Sequence, residues 1–182
     1  MLTLTVAVLR VAQGGAPVLS AIAGAPSIAN AAAAQVLVVL HGVCGMALVG
    51  ASTHHAVVAV GYLRGVYRVR LSRVYAAVTA VGWAVTFTLG LLVYPSYRYF
   101  VRGLYLDWHK VWASNLFDIK ENFAALGLPI ALVLYVLSRR LEPREDRLLA
   151  GPYALLVFVA CAIAWFAAIS GLVITLQRGV PS

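Results

Sequence analysis

The sequence predicts an all-α fold, a four-helix bundle built into a membrane, with an additional interfacial or broken helix at its N-terminus. Three observations carry this. Of the 182 residues, 63% are hydrophobic and only 11% charged, too little polar surface for a water-soluble domain of that size. The apolar residues come in blocks long enough to cross a hydrocarbon layer of about 30 Å as helices. The 14 Lys and Arg residues gather in the short polar connections between those blocks. The net charge of +8 is therefore a topology signal. It is not a basic patch on a polar fold, and a nucleic-acid partner is excluded. The length suits a single domain, residues 1–182.

Residues 1–30 hold an apolar run interrupted by Arg10, then two glycines, Pro17 and Pro26. A cleaved signal peptide would carry positive charge near Met1, which is missing here. The segment reads as an interfacial or re-entrant helix, with a fifth span as the alternative. The first clear span covers residues 28–63, longer than a bilayer requires, so it tilts or protrudes. Arg64, Arg68, Arg70 and Arg73 follow with no acid among them. The second span covers 74–94 and closes at Pro95, with Gly82 and Gly90 permitting close helix approach. A polar stretch rich in Tyr and Trp then marks a membrane interface. The third span, 115–138, starts at a Ser114 or Asn115 cap and meets a kink at Pro129. A charged turn around residues 139–147 leads to the fourth span, 153–176.

The 64–73 and 139–147 turns carry four basic residues each, compactly, whereas the four between 95 and 121 are spread out. The compact clusters are expected on the cytoplasmic side of the inner membrane, which leaves the C-terminus outside. Cys44 and Cys161 lie inside apolar blocks with no CxxC spacing and read as buried small hydrophobes.

The first span organises the chain, because it holds three of the four histidines. His41 and His55 are fourteen residues apart, which places them about 40° apart in azimuth and about 21 Å apart along one helix. His54 points elsewhere. Gly45, Leu48 and Ser52 lie on the stripe between the two imidazoles. Imidazoles inside a span are costly and suggest function, and histidine is an axial ligand of haem.

The spacing His41-x13-His55 resembles the ligand helices of membrane b-type cytochromes, such as the cytochrome b subunit of quinol–cytochrome c reductases. The resemblance covers this one helix and implies b-type haem bound by His41 and His55, one near each membrane face. In that family a second H-x13-H helix supplies the other axial ligands. This chain has no such helix, so the resemblance implies a homodimer pairing His41 with His41 and His55 with His55. Arg98 and Arg102 would then meet the propionates of the outer haem, and Arg64 and Arg68 those of the inner one.

A second constellation opens the third span. Asp118, Glu121 and Asn122 share a helix face beside Lys120, with Asp107 and His109 just upstream. With His41 at a similar depth, His109, Asp118 and Glu121 have the chemistry for a non-haem metal ion. They would equally suit a quinol, whose two hydroxyl protons a histidine and a carboxylate can accept. Each feature also has a structural explanation: histidines bonded to backbone carbonyls, acids favoured by a helix N-terminus, arginines placed by topology.

Three functions follow. The first is a small membrane electron-transfer protein or respiratory-complex subunit binding haem b, quinol or both, an oxidoreductase if catalytic. The second is a membrane metal enzyme. The third is a cofactor-free accessory subunit of a larger complex. A transporter is disfavoured, because no discontinuous helices occur in matching halves.

Overall fold

The computed structural model describes residues 28–177, residue 144 apart, with side chains from residue 33. The expected N-terminal helix, with Arg10, therefore lies outside the described residues, as does Arg178. Four long helices fill the described part: α1 (Ile28–Leu63), α2 (Val69–Ser96), α3 (Val111–Arg140) and α4 (Arg147–Gln177). Each is long and apolar enough to cross a membrane. They pack as a square in which α1 touches α2 and α4, and α3 touches the same two helices. Short connections make all neighbours antiparallel, the up-down-up-down arrangement.

The bundle is apolar on its outside. Val57 is 68% exposed, Met46 64% and Leu176 73%, as suits helices that face a lipid bilayer. The interior is lined by small residues, among them Ala59, Ala76, Ala131, Ala154, Ser52, Ser72 and Ser138. With no hydrophobic drive between helices in lipid, small side chains that let backbones approach supply the packing energy. Larger side chains are buried among them, Tyr153, Phe117 and Trp83 included, and the Trp83 indole occupies the space where a Cβ on Gly127 would sit.

The first helix has the limits the sequence suggests, and the other three overrun theirs. α2 begins at Val69, five residues before the expected start, and it does not close at Pro95. Proline within the last turn removes only one intrahelical bond, and the chain continues as a π-helical segment, Tyr97–Leu106. The Asp107 N–H reaches back five residues to the Arg102 carbonyl, the bond that defines this wider helix. A single α turn, Asp107–His109, follows. The aromatic stretch is thus helix rather than loop. α3 begins at Val111, so Ser114 sits inside it and donates to the Asp107 carboxylate instead of capping. The helix then runs through Pro129 to Arg140. The expectation of buried cysteines also fails in part: both are free thiols, half-buried on the bundle's flank.

Candidate functional site

Both stripe histidines face α2. Because α1 and α2 run antiparallel at equal rise, a step along one matches a step along the other. His55 meets Ser72, and fourteen residues away on each helix His41 meets Thr86. The repeat that drew attention to α1 is therefore mirrored by a Ser72–Thr86 repeat on α2. The two rings nevertheless have different environments.

His55 is 1% exposed. Its Nε2 lies 3.0 Å from the Tyr153 hydroxyl of α4 and 3.4 Å from Ser72 Oγ, and those two hydroxyls are 2.7 Å apart. Tyr62 packs on Tyr153, with ring centroids 5.4 Å apart. Three helices thus converge on a closed polar triad just inside the arginine-rich turns. A ligand role for His55 would require Tyr153 and Ser72 to release Nε2. Arg64 and Arg68, its expected companions, are exposed.

His41 is half-buried at the opposite end of the bundle. Its Nδ1 is 2.9 Å from the Thr86 carbonyl oxygen. A carbonyl can only accept, so Nδ1 carries the proton and donates it. In the neutral ring this leaves the Nε2 lone pair available. Gly90 makes room for the ring, since a Cβ there would stand 3.2 Å from His41 Cε1. The Lys120 ammonium lies within electrostatic reach of His41, and Glu121 lies beside Lys120.

The rest of this end is an ion-pair network. Arg102 binds Asp118 through two nitrogens, one at 2.9 Å, and reaches Asp107 at 3.4 Å. This guanidinium is satisfied by carboxylates within the chain, so Arg102 is not free to meet a haem propionate. Arg98 is exposed, lies over the Tyr94 ring and reaches its hydroxyl, with no carboxylate in salt-bridge contact among the described residues, so it keeps that capacity. Tyr97 stacks on Phe117 at 4.4 Å, and its buried hydroxyl has no hydrogen-bond partner among the described residues. The charges of Arg102, Glu121 and Asp107 surround it.

The four residues considered for a non-haem metal do not assemble. His109 is exposed, stacks on Tyr105 and bonds that residue's carbonyl. Asp118 is held by Arg102. Among the described residues, no three His, Cys, Asp or Glu side chains come together as a metal-binding group. Sequence reading missed Ser72, Tyr153 and Thr86. Only the antiparallel register reveals them, and that register is a property of the packed bundle.

Fold and site together define a multi-pass, four-helix membrane protein with one polar centre near each end of its apolar layer. No family model, no curated protein and no solved structure matches the chain.

Proposed function

We propose that this is a small membrane electron-transfer protein, or the membrane subunit of a larger redox assembly, in which His41 is an axial ligand of a b-type haem. The observation that supports this reading is the bond from His41 Nδ1 to Thr86. A carbonyl that accepts from the other ring nitrogen, fixing the tautomer, orienting the ring and raising the basicity of Nε2, is the usual companion of a metal-bound histidine. When bound, the haem iron would carry single electrons. The chain's own contribution is to hold the imidazole against Gly90, exclude water with the apolar faces of α1 and α2, and offer Arg98 to a propionate. Another ligand for the iron would come from His41 of a second copy or from a partner subunit. In this reading the arginine-rich turns face the cytoplasm and the C-terminus lies outside.

The test is a visible spectrum of the purified protein, oxidised and dithionite-reduced. A b-type band is expected, lost in His41→Ala and retained in His55→Ala. A colourless protein from haem-replete cells ends the proposal. Co-purification with a complex and no chromophore would instead favour an accessory subunit.

A quinol at the same end is the second reading, favoured by half-buried Lys120 within electrostatic reach of His41 and half-buried Glu121 next to Lys120. Here Nε2 of His41, free of haem in this reading, and the Glu121 carboxylate would accept the two hydroxyl protons, while the two electrons pass one at a time to a one-electron carrier of a partner redox subunit. Glu121→Gln would then slow quinol oxidation by that assembly and leave the fold of the bundle unchanged.

A further inference from the structure

A groove of about 410 Å³ runs along the outside of the bundle between α1 and α2, floored by Cys44, Ala47 and Ala51 on one helix and Ala77, Val81 and Gly82 on the other. Its volume falls in the range of small-ligand sites. It faces the lipid and is almost wholly apolar, but its lower end is not. There His54 and Tyr75 stack with centroids 5.7 Å apart. His54 Nδ1 donates to the Gly50 carbonyl at 2.8 Å, which leaves Nε2 for another partner. The Tyr75 hydroxyl makes no hydrogen bond among the described residues. One helical step further, Arg70 lies within about 20° of the line through Ala77 and Val81, roughly 10 Å below Ala77. Arg70 is exposed and has no carboxylate within salt-bridge distance among the described residues, whereas Arg73 is taken by Glu142 at 2.8 Å.

We propose that this groove holds one acyl chain of an anionic phospholipid from the leaflet beside the 64–73 turn, with Arg70 meeting the phosphate. The order along the groove is that of the lipid: a methylene-width apolar trough, then hydrogen-bonding groups at the depth of the ester carbonyls, then an unneutralised guanidinium at the depth of the headgroup. Charge complementarity selects this occupant over a second copy of the chain. Asp107, Asp118 and Glu142 are already paired with arginines. Glu121 lies at the far end of the bundle, and Glu145 and Asp146 belong to a turn, 139–147, that carries four arginines against three acids, so a second copy offers Arg70 no net negative face. Lipid phosphate is the abundant anion at this depth, and basic residues at the membrane surface attract it.

Native mass spectrometry of the full-length protein in mild detergent tests the site, using a phosphoglycerol lipid and a phosphocholine lipid with identical acyl chains. The phosphoglycerol lipid should be retained about fivefold more strongly, matching the ~1 kcal/mol that one juxtamembrane basic residue contributes. Arg70→Gln should erase that preference. Ala51→Phe should fill the trough and lower retention of both lipids. An unchanged melting temperature for each variant shows that the bundle is intact. Equal retention of the two lipids by the unaltered protein overturns the proposal. So does efficient Cys44-to-Cys44 cross-linking by a short bismaleimide in a Cys161→Ser background in vesicles, because it places a second copy in the groove.

Discussion

His55 and Tyr153, ninety-eight residues apart in sequence, are joined by a 3.0 Å hydrogen bond between α1 and α4. The bond matters because its setting is dry: His55 and Tyr153 are 1% and 2% exposed. A polar group buried without a partner costs far more than the net gain from the bond it loses. Tyr153→Phe keeps the ring against Tyr62 but leaves Nε2 only the longer contact to Ser72. The expected cost is about 1–3 kcal/mol. A thermal unfolding series in detergent reads it, with Tyr135→Phe as an exposed-tyrosine control. Equal melting temperatures for the two variants would remove the triad from the list of stabilising features.

Gly127 gives a second, purely steric prediction. The Trp83 indole lies where its Cβ would be, and the atoms in the way belong to a rigid ring in the centre of the bundle. Gly127→Ala must push α3 away from α2 or turn the indole out of a site where Trp83 is 3% exposed. Overpacking of this kind costs about 1–3 kcal/mol. Gly50→Ala is the control, since nothing lies within 4 Å of a Cβ at that position. Intrinsic helix propensity alone would make both substitutions mildly stabilising. A fall in melting temperature confined to Gly127→Ala isolates the packing effect.

Much of the fold was legible because a bilayer imposes one strong rule. Backbone groups in hydrocarbon must bond internally, so long apolar blocks become helices. Among the described residues the blocks were counted correctly and the first span's limits, 28–63, match, whereas the other three helices run past theirs. Pro95 reads as a stop, yet a proline near a helix end withdraws one hydrogen bond, and the chain from Tyr97 relaxes into a π-helix. Ser114 reads as a cap, yet Asp107 captures its hydroxyl. The site was half legible. Periodicity found the two histidines and placed them toward one neighbour. It could not show that Thr86 leaves His41 an open nitrogen while Ser72 and Tyr153 close off His55. Those partners are fixed by helix register, which no local pattern encodes. The acids at the start of α3 read equally well as metal ligands, and Arg102 decides against that for Asp118.

The Arg102–Asp118 pair permits a charge-exchange test. Asp118 is 46% exposed, so solvent screens the interaction and the coupling should be modest, up to about 1 kcal/mol. Arg102→Asp alone places three carboxylates together with Asp107 and Asp118 and should destabilise more than Asp118→Arg alone. Combining the two substitutions should recover part of the loss, less than all of it because the bidentate fork and the Asp107 contact are not rebuilt. A double-mutant cycle on melting free energies gives the coupling. It should shrink in high salt, because the pair is partly exposed.

The protonation pattern of His41 can be observed directly, without any cofactor. In the cofactor-free protein labelled with ¹⁵N-histidine, His41 should give the Nδ1–H tautomer, the less common form in water, because only Nδ1–H can bond the Thr86 carbonyl. Gly90→Val places a branched side chain where even a Cβ would stand 3.2 Å from His41 Cε1. The ring must then leave its seat, and the tautomer signal should move toward the mixture seen for free imidazole. Thr86→Val is the companion variant. It removes a hydroxyl but keeps the backbone carbonyl, so the His41 signal should remain where it is. A His41 resonance already in the Nε2–H form, or indifferent to Gly90→Val, would mean the imidazole is not held in this orientation. The open Nε2 on which the electron-transfer reading depends would then be lost with it.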